Sequence, residues 1–354
     1  MTNKITAETA RIAVYGAGAM GTVLGAFLTL GGLKNVELIT RNQAHVDGLN
    51  ETGAKIECTE EGNELTVKVN ALTPAQMTGK YDVVFLMTKQ RNNEEILNFL
   101  LPYLKEDSVV CTTQNGLPET SVAKIVGNKR TYGGVASFGA TFIGGGRVAL
   151  TSKTDGMSMQ VSGYKNDGEK TPLLYEILTY VGRATGNENF AKVSYNFAGA
   201  RWSKLAINAA FSGMSVVTGQ TFGKIAKGKK SKRIALGILR ECMDVANAAG
   251  VVLEKMQGKD MQKLLGGRGF WKTRFALFAL PIAMKNHKKL VSGMRKDVEN
   301  GRKCEIDYIN GVVCKVGKEV GVETPLNQKV VELTHGIENG LYETSPKNVD
   351  FFGV

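Results

Sequence analysis

A glycine-rich turn near the start of the chain constrains the fold more than any other feature. The apolar run Ile12–Tyr15 is typical of a buried strand in a parallel sheet, and it leads directly into Gly16, Gly18 and Gly21. The residues that follow have the apolar spacing of a helix. A strand, a G-x-G-x-x-G turn and a helix in this order predict a domain that binds a dinucleotide.

Each glycine of this turn has its own expected task. Gly16 permits the tight turn, Gly18 lets a diphosphate approach the backbone, and Gly21 lets the helix pack close to the strand. The N–H groups at the start of the helix then face the anion. The predicted cofactor-binding residues here are Gly16, Ala17, Gly18, Ala19, Met20 and Gly21.

The end of the second predicted strand, Val36–Ile39, bears on the choice of nicotinamide cofactor. An acidic residue at this point would hold the ribose hydroxyl of NAD, but the chain continues Thr40-Arg41-Asn42 without a carboxylate. Arg41 could instead pair with the 2′-phosphate of NADP, because its guanidinium suits that anion. The sequence therefore favours NADP, although Arg41 could also be an ordinary surface residue.

Two further predicted strands end in polar residues. Tyr81–Met87 leads to Lys89, and Ser108–Thr113 leads to Asn115. Parallel sheets bind ligands at the carboxyl ends of their strands, so both residues are candidates for the cofactor site. Asn115 also precedes a glycine, where an asparagine is a common turn former.

Strand patterns dominate the first half of the chain and helix patterns the second. We therefore expect two domains, residues 1–193 and 194–354. Further strands are predicted at Lys55–Cys58, Leu65–Val69, Tyr132–Phe142, Arg147–Leu150, Met157–Val161 and Phe190–Val193, and helices at Asn93–Leu100, Leu173–Tyr180, Ala235–Ala249 and Gln328–Ile337.

The first long helix of the second domain is predicted over Ala200–Val217. Lys204, Asn208 and Ser212 are spaced four apart and would share one face of it. Small and apolar residues surround this lysine in sequence, so desolvation could make it a proton donor near neutral pH. The alternative is a lysine that extends to solvent from a buried helix.

Three later segments have less specific patterns. The basic run Lys224–Arg233 predicts a solvated face or a loop. The apolar and aromatic segment Phe270–Met284 predicts a packing or subunit surface, so a homodimer is one open possibility. Glu305 is a candidate substrate ligand, although a lone glutamate on a helix is usually solvated.

Composition excludes several classes of protein. The net charge is +12, yet no aromatic–basic motif accompanies it, so we expect no nucleic-acid partner. No stretch reaches the roughly 18 apolar residues of a membrane span, and the polar N-terminus differs from a signal peptide. We therefore expect a cytoplasmic protein without a membrane partner. The five cysteines and three histidines are scattered singly, which argues against disulfides and metal sites.

Together these motifs resemble the ketopantoate reductases (2-dehydropantoate 2-reductases) over roughly residues 11–335. The resemblance rests on the glycine turn, Lys89, Gln114-Asn115-Gly116, Lys204-Leu-Ala-Ile-Asn208 and Glu305-Ile-Asp-Tyr-Ile-Asn-Gly311 in one order. It implies an α/β fold, in which a Rossmann-type dinucleotide-binding domain precedes an all-helical domain like the C-terminal domain of 6-phosphogluconate dehydrogenase.

The resemblance also implies an activity, the NADPH-dependent reduction of an anionic 2-oxo acid in pantothenate biosynthesis. By position, Lys204 would be the general acid, while Asn208 and Glu305 would bind the substrate. Arg41, Lys89 and Asn115 would belong to the cofactor side of the site.

The chain departs from the family pattern on the substrate side. Gly293 replaces a serine that helps to bind the substrate, and Ser212 replaces an asparagine. Both positions are therefore assigned to substrate binding, and both leave the identity of the acid open. The alternatives are a reductase of another small 2-oxo acid and a non-catalytic protein that senses NADP.

Overall fold

The computed structural model describes residues 5–256 and 258–353, apart from the side chain of Asn286. The chain divides into two compact units. The first contains residues through Gln114 and Pro118–Phe197, and the second contains Asn115–Leu117 and the chain from Ala198. Each unit has its own hydrophobic core.

An eight-stranded, mostly parallel sheet is the centre of the first unit. Its central strands are fully buried, as expected for strands covered on both faces. The strands stand in the order β12-β11-β8-β7-β6-β1-β2-β5, and the β11–β8 pair is antiparallel. Their bounds are β1 Ile12–Tyr15, β2 Val36–Ile39, β5 Asn70–Leu72, β6 Tyr81–Leu86, β7 Leu104–Thr112, β8 Thr131–Ala136, β11 Met159–Gly163 and β12 Ala191–Val193.

A smaller sheet in the same unit has the order β4-β3-β10-β9. It consists of β3 (Ala54–Cys58), β4 (Asn63–Val67), β9 (Ala140–Gly144) and β10 (Arg147–Leu150). The strands predicted at Lys55–Cys58 and Leu65–Val69 correspond to β3 and β4, which pair in antiparallel register as a hairpin. The single strand predicted over Tyr132–Phe142 was wrong, because this segment breaks into β8 and β9, which belong to different sheets.

Five helices complete the first unit: α1 Ala19–Leu30, α2 Gln43–Thr52, α3 Asn93–Leu100, α4 Glu119–Val126 and α5 Thr171–Thr185. Helix α1 packs on α5 and on β2, and a side chain at Gly25 would collide with Leu38. The glycine turn is thereby held against the centre of the sheet.

A buried imidazole joins the smaller sheet to α1. His45 on α2 accepts a hydrogen bond from the backbone N–H of Gly146 at 3.1 Å through Nδ1. Its Nε2 lies 3.0 Å from the hydroxyl of Thr22, which in turn donates to the carbonyl of Ala17 at 3.4 Å. Burial lowers the pKa of His45 below its ordinary value.

The second unit is helical throughout its assigned elements. Its helices are α6 Phe197–Ile207, α7 Met214–Thr218, α8 Phe222–Lys227, α9 Lys229–Ala248, α10 Met261–Leu265, α11 Phe270–Ala283, α12 Gly293–Glu299, α13 Ile306–Val320 and α14 Pro325–Glu338. Residues Asn208–Gly213, between α6 and α7, form a π-helical segment, which we call the π turn. None of the described helices is long and apolar enough to cross a membrane.

One prediction for this unit needs correction, and for another the structure selects one of two alternatives. The helix expected over Ala200–Val217 is present, but it is not a continuous α-helix because the π turn interrupts it. The basic run Lys224–Arg233 is a solvated helical face, one of the two predicted alternatives, and not a loop, since it occupies the end of α8 and the start of α9 on either side of Gly228. A run of charged residues with few apolar neighbours looks the same in a loop and on an exposed helix face, so the sequence alone could not separate these two structures.

Candidate functional site

The glycine turn leaves no room for side chains at its first and third glycines. Gly16 has φ +103°, and a Cβ on it would lie 2.7 Å from the backbone of Met87 and Thr88. A Cβ on Gly21 would collide with the carbonyl of Gly16. Glycine is therefore required at both positions, by backbone conformation at Gly16 and by close packing at Gly21.

Gly18 has the opposite environment. A Cβ built on it would have no atom within 4 Å, so the turn opens at this residue. Gly18 is also the N-cap of α1, where it offers no side chain to the N–H groups of the first helical turn. The space and the N–H groups suit the diphosphate of a dinucleotide, and the residues present therefore fit such a cofactor.

Arg41 lies on the surface just after β2. Its guanidinium is 3.6 Å from the carboxylate of Glu95 on α3, and both side chains are largely exposed. An exposed pair of this kind contributes at most about 1 kcal/mol, so an incoming phosphate could replace the carboxylate. The guanidinium of Arg41 is thus accessible to a ligand, and the ion pair with Glu95 that a phosphate would have to replace is weak.

The carboxyl ends of β6 and β7 lie side by side, with Leu86 opposite Thr112. Lys89 is half-buried three residues beyond β6, and it follows the Thr88 backbone that contacts Gly16. Asn115 is exposed three residues beyond β7 and clusters with the second unit. The structure thus places Lys89 next to the glycine turn.

A buried amide network fixes this edge of the sheet. Gln114 exchanges two hydrogen bonds with Asn93, at 2.6 and 3.1 Å, and donates to the Thr88 hydroxyl at 3.3 Å. The hydroxyl of Thr112 also donates to Gln114, at 2.9 Å. The residues flanking Lys89 and Asn115 are therefore held in one network.

In the second unit, Lys204 is half-buried on α6. Burial lowers the pKa of its ammonium group from 10.5 to about 7, and the positive charge of Arg201, one turn earlier, acts in the same direction. A lysine with this pKa is partly protonated at neutral pH and can give up its proton. Of the two interpretations left open by the sequence, this environment fits a desolvated lysine, and its role as a proton donor stays a prediction.

The π turn begins at Asn208, one helical turn after Lys204. Two side chains donate to its backbone carbonyls: Asn310 of α13 to Ala209 at 3.1 Å, and Ser292 to Ser212 at 3.2 Å. Such donors replace intrahelical bonds that a π turn cannot make in the α-helical pattern, and π turns are frequent at functional sites.

Asn310 is itself the end of a buried polar chain. It donates to Asn327 at 2.9 Å, and Asn327 donates to the carboxylate of Glu241 at 2.8 Å. Gly213 completes the contact, because a Cβ there would lie 2.6 Å from both Asn310 and Val330. The geometry of the π turn is therefore set by α9, α13 and α14.

The remaining predicted substrate residues lie at two helix starts. Gly293 is the first residue of α12, directly after Ser292, and a Cβ on it would meet no atom within 4 Å. Glu305 is half-buried at the N-cap of α13. The hydrogen bonds of Ser292 and Asn310 thus connect the starts of both helices to the π turn.

Sequence reasoning did not identify Asn93, Asn310, Asn327 and Glu241 as members of buried networks. Their partners are 17 to 101 residues away in the chain, and no motif signals such pairs. Within the described residues, no group of His, Cys, Asp and Glu side chains could hold a metal ion.

Two family models match the chain. The model described as Ketopantoate reductase PanE/ApbA matches residues 12–161, and the one described as Ketopantoate reductase PanE/ApbA C terminal matches residues 196–338. Together they include the glycine turn, Lys89, Asn115, Lys204 and Glu305.

Curated proteins of similar length also match. The 2-dehydropantoate 2-reductase of Archaeoglobus fulgidus is 23% identical over 94% of this chain and 99% of its own length. The protein of the same name from Lactococcus lactis is 27% identical over 93% of this chain and 98% of its own.

Solved structures share the fold. The ternary structure of D-mandelate dehydrogenase with NADH and anilino(oxo)acetate has a TM-score of 0.77 and 24% identity, and covers 93% of this chain and 99% of that one. A PanE/ApbA family ketopantoate reductase from Ralstonia eutropha has a TM-score of 0.75 and 23% identity, covering 93% and 98%. The expected fold, a Rossmann-like dinucleotide-binding domain followed by a helical domain, is confirmed, and the chain belongs to the ketopantoate reductase family of oxidoreductases.

Proposed function

We propose that this protein reduces 2-dehydropantoate to pantoate with NADPH, as a step of pantothenate biosynthesis. The observation that carries the proposal is Lys204, whose half-buried ammonium has a pKa of about 7. A proton donor of this kind is what the reduction of a ketone needs. The curated relatives named 2-dehydropantoate 2-reductase support the same substrate.

When bound, NADPH supplies a hydride to the carbonyl carbon of the substrate. Negative charge develops on the carbonyl oxygen, and Lys204 donates its proton there, so the ketone becomes an alcohol and the lysine becomes neutral. Asn208 and Ser212 on the π turn and Glu305 at the start of α13 hold the substrate in position for this transfer.

On the cofactor side, the backbone of Gly16–Gly21 holds the diphosphate, and Ala17, Ala19 and Met20 contribute to that surface. Lys89 and Asn115 contact the cofactor near the ends of β6 and β7. Arg41 binds the 2′-phosphate, which distinguishes NADPH from NADH.

Gly293 favours a second candidate function, the reduction of a bulkier 2-oxo acid. Open space surrounds the position of its missing Cβ, and no hydroxyl is available there to bind a polar substrate. The D-mandelate dehydrogenase that shares this fold was solved with NADH and anilino(oxo)acetate, so both aromatic oxo acids and NADH belong in the assay.

The decisive experiment measures the oxidation of NADPH by the purified protein with 2-dehydropantoate and a panel of other 2-oxo acids, repeated with NADH. Efficient turnover of 2-dehydropantoate with NADPH would support the proposal. Turnover of another 2-oxo acid, but not of 2-dehydropantoate, would mean that the same mechanism acts on that other acid. Binding of NADPH without any turnover would exclude a reductase and leave a sensor.

Gly293→Ser separates the two substrate candidates. The backbone at this position accepts a side chain, and the added hydroxyl restores the family pattern. We expect the serine variant to lower KM for 2-dehydropantoate and to raise it for bulkier acids. If KM for 2-dehydropantoate does not change, position 293 lies outside the substrate site.

A further inference from the structure

Helix α11 has its large aromatic residues on the outside. Trp271, Phe275, Phe278 and Ile282 are 79%, 56%, 70% and 55% exposed, and their spacing places them in one stripe along the helix. The side that faces the core carries smaller residues, Ala276 and Ala279, with Leu280. We call these four outward residues and the exposed Phe270 the α11 stripe.

The stripe is large for a surface that remains in water. Burying one aromatic side chain removes about 150–250 Å² from solvent, so the five residues present roughly 600 Å² of apolar area. The largest apolar patch on a typical monomer is about 300–600 Å², and such patches are often functional. The α11 stripe is therefore at the upper end of that range and is a candidate binding surface.

The segment of the chain that carries the stripe is basic. Residues 261–296 contain nine Lys and Arg residues and no Asp or Glu. Arg268 and Arg295 pair with acidic residues outside this segment. Five cations, Lys272, Arg274, Lys285, Lys288 and Lys289, form no ion pair with any residue that the structure describes.

The charge decides between the two obvious occupants. A second copy of the chain, related by a two-fold axis, would bring a second set of these cations to the same interface, where like charges repel. An anionic lipid surface would attract them instead. Exposed Trp and Phe side chains beside Lys and Arg are the composition of helices that lie in a membrane interface.

We propose that the α11 stripe and the five cations around it bind the surface of an anionic membrane. The aromatic residues enter the boundary between headgroups and acyl chains, and the lysines extend to the lipid phosphates. The sequence alone predicted no membrane partner, and the outward direction of the aromatic residues is the observation that changes this expectation. The proposal is independent of the reaction the protein catalyses.

Trp271 provides a direct probe. The chain has only two tryptophans, and Trp202 is buried, so a change in emission on adding vesicles reports on Trp271. We expect phosphatidylserine–phosphatidylcholine vesicles to bind the full-length protein in sedimentation and to shift its emission to the blue. Pure phosphatidylcholine vesicles should bind much more weakly, and added salt should release the protein. Trp271→Phe should still sediment with the vesicles but lose the shift.

Two variants test the parts of the surface separately. Phe275→Ser with Phe278→Ser should weaken binding by about tenfold or more, because apolar area is lost. Lys285→Gln, Lys288→Gln and Lys289→Gln together should weaken it by roughly a hundredfold at low salt. Tyr195→Ser, which changes an exposed aromatic residue of the first unit, is the matched control and should have no effect.

Two results would overturn the proposal. One is the absence of sedimentation with anionic vesicles. The other is binding that the phenylalanine and lysine variants leave unchanged. Sedimentation velocity without lipid tests the alternative, which is a dimer of this chain. If the protein forms a dimer that Phe275→Ser with Phe278→Ser dissociates, the stripe binds a second copy of the chain and not a membrane.

Discussion

The environment of Lys204 differs strongly from that of a free lysine side chain in water. Its pKa of about 7 results from burial and from the charge of Arg201. At this pKa, small changes of pH alter the fraction of protonated lysine, so the proposed proton donor makes the reaction sensitive to pH.

We expect the rate of ketone reduction to fall as pH rises through about 7, because the acid form of Lys204 disappears. Lys204→Gln leaves a shorter, uncharged polar side chain and should reduce turnover at least about a hundredfold, the usual contribution of a general acid. NADPH binding, followed by fluorescence titration, should remain nearly unchanged. A variant with normal turnover would remove Lys204 from the mechanism.

The same lysine should affect stability in a way that does not depend on activity. Between about pH 7 and 10.5 the unfolded chain holds a proton on Lys204 that the folded protein has lost. Stability therefore rises with pH across this window, since the unfolded state binds more protons. In chemical denaturation, Lys204→Gln should flatten that rise; an unchanged slope would mean that the pKa of Lys204 is not depressed.

Arg41 and Glu95 allow a test of cofactor choice. Glu95→Gln removes the carboxylate beside Arg41 and should tighten NADPH binding a few-fold, with no effect on NADH. Arg41→Ala should weaken NADPH by about tenfold or more, the usual loss for a charged hydrogen-bond partner. Glu94→Gln, an exposed neighbour on α3, is the control. Equal effects on both cofactors would exclude a 2′-phosphate site at Arg41.

At the scale of secondary structure, the π turn depends on side chains from three other helices. Asn310 and Asn327 are fully buried, and their side-chain amide groups donate along this chain of hydrogen bonds. Removing one member leaves buried polar groups unpaired, which costs about 1–3 kcal/mol for each.

Asn310→Ala should therefore lower the free energy of unfolding by roughly 2–4 kcal/mol. It should also raise KM for the substrate more than for NADPH, because Asn208 and Ser212 lie on the π turn. Denaturant unfolding and steady-state kinetics measure the two effects. Lys315→Ala, at an exposed position of the same helix, should change neither. Lost stability with unaltered kinetics would show that the network has no part in substrate binding.

Local patterns predicted many elements well. The bounds of Val36–Ile39 and Asn93–Leu100 match those of β2 and α3, because each has clear periodicity and clear ends. The π turn could not be predicted, since a spacing of four between Lys204, Asn208 and Ser212 fits both kinds of helix. The split of Tyr132–Phe142 depends on which partners its halves find, which are distant in sequence.

At the scale of the whole molecule, the two units have separate cores. Domains with their own cores can unfold separately, so a single two-state transition is not expected. The predicted site residues are divided between the units in the same way. The glycine turn, Arg41 and Lys89 belong to the first unit, and Lys204, the π turn and Glu305 to the second.

In differential scanning calorimetry, we therefore expect the total heat to exceed the van't Hoff enthalpy of the main transition. NADPH should raise the transition temperature of the first unit more than that of the second, because binding stabilises the state that binds. If the total heat equals the van't Hoff enthalpy and NADPH shifts a single transition temperature, the chain unfolds as one cooperative body.

The hydrogen bonds of His45 determine which ring nitrogen carries its proton, and this affects the glycine turn of the first unit. A backbone N–H can only donate, so Gly146 requires Nδ1 to be an acceptor and places the imidazole proton on Nε2. The hydrogen bonds then all run in one direction. They start at the N–H of Gly146 in the smaller sheet, pass through His45 and Thr22, and end at the carbonyl of Ala17 in the glycine turn. A second proton on the ring would set two donors against each other at Gly146. Acid should therefore loosen the glycine turn from the side of the smaller sheet.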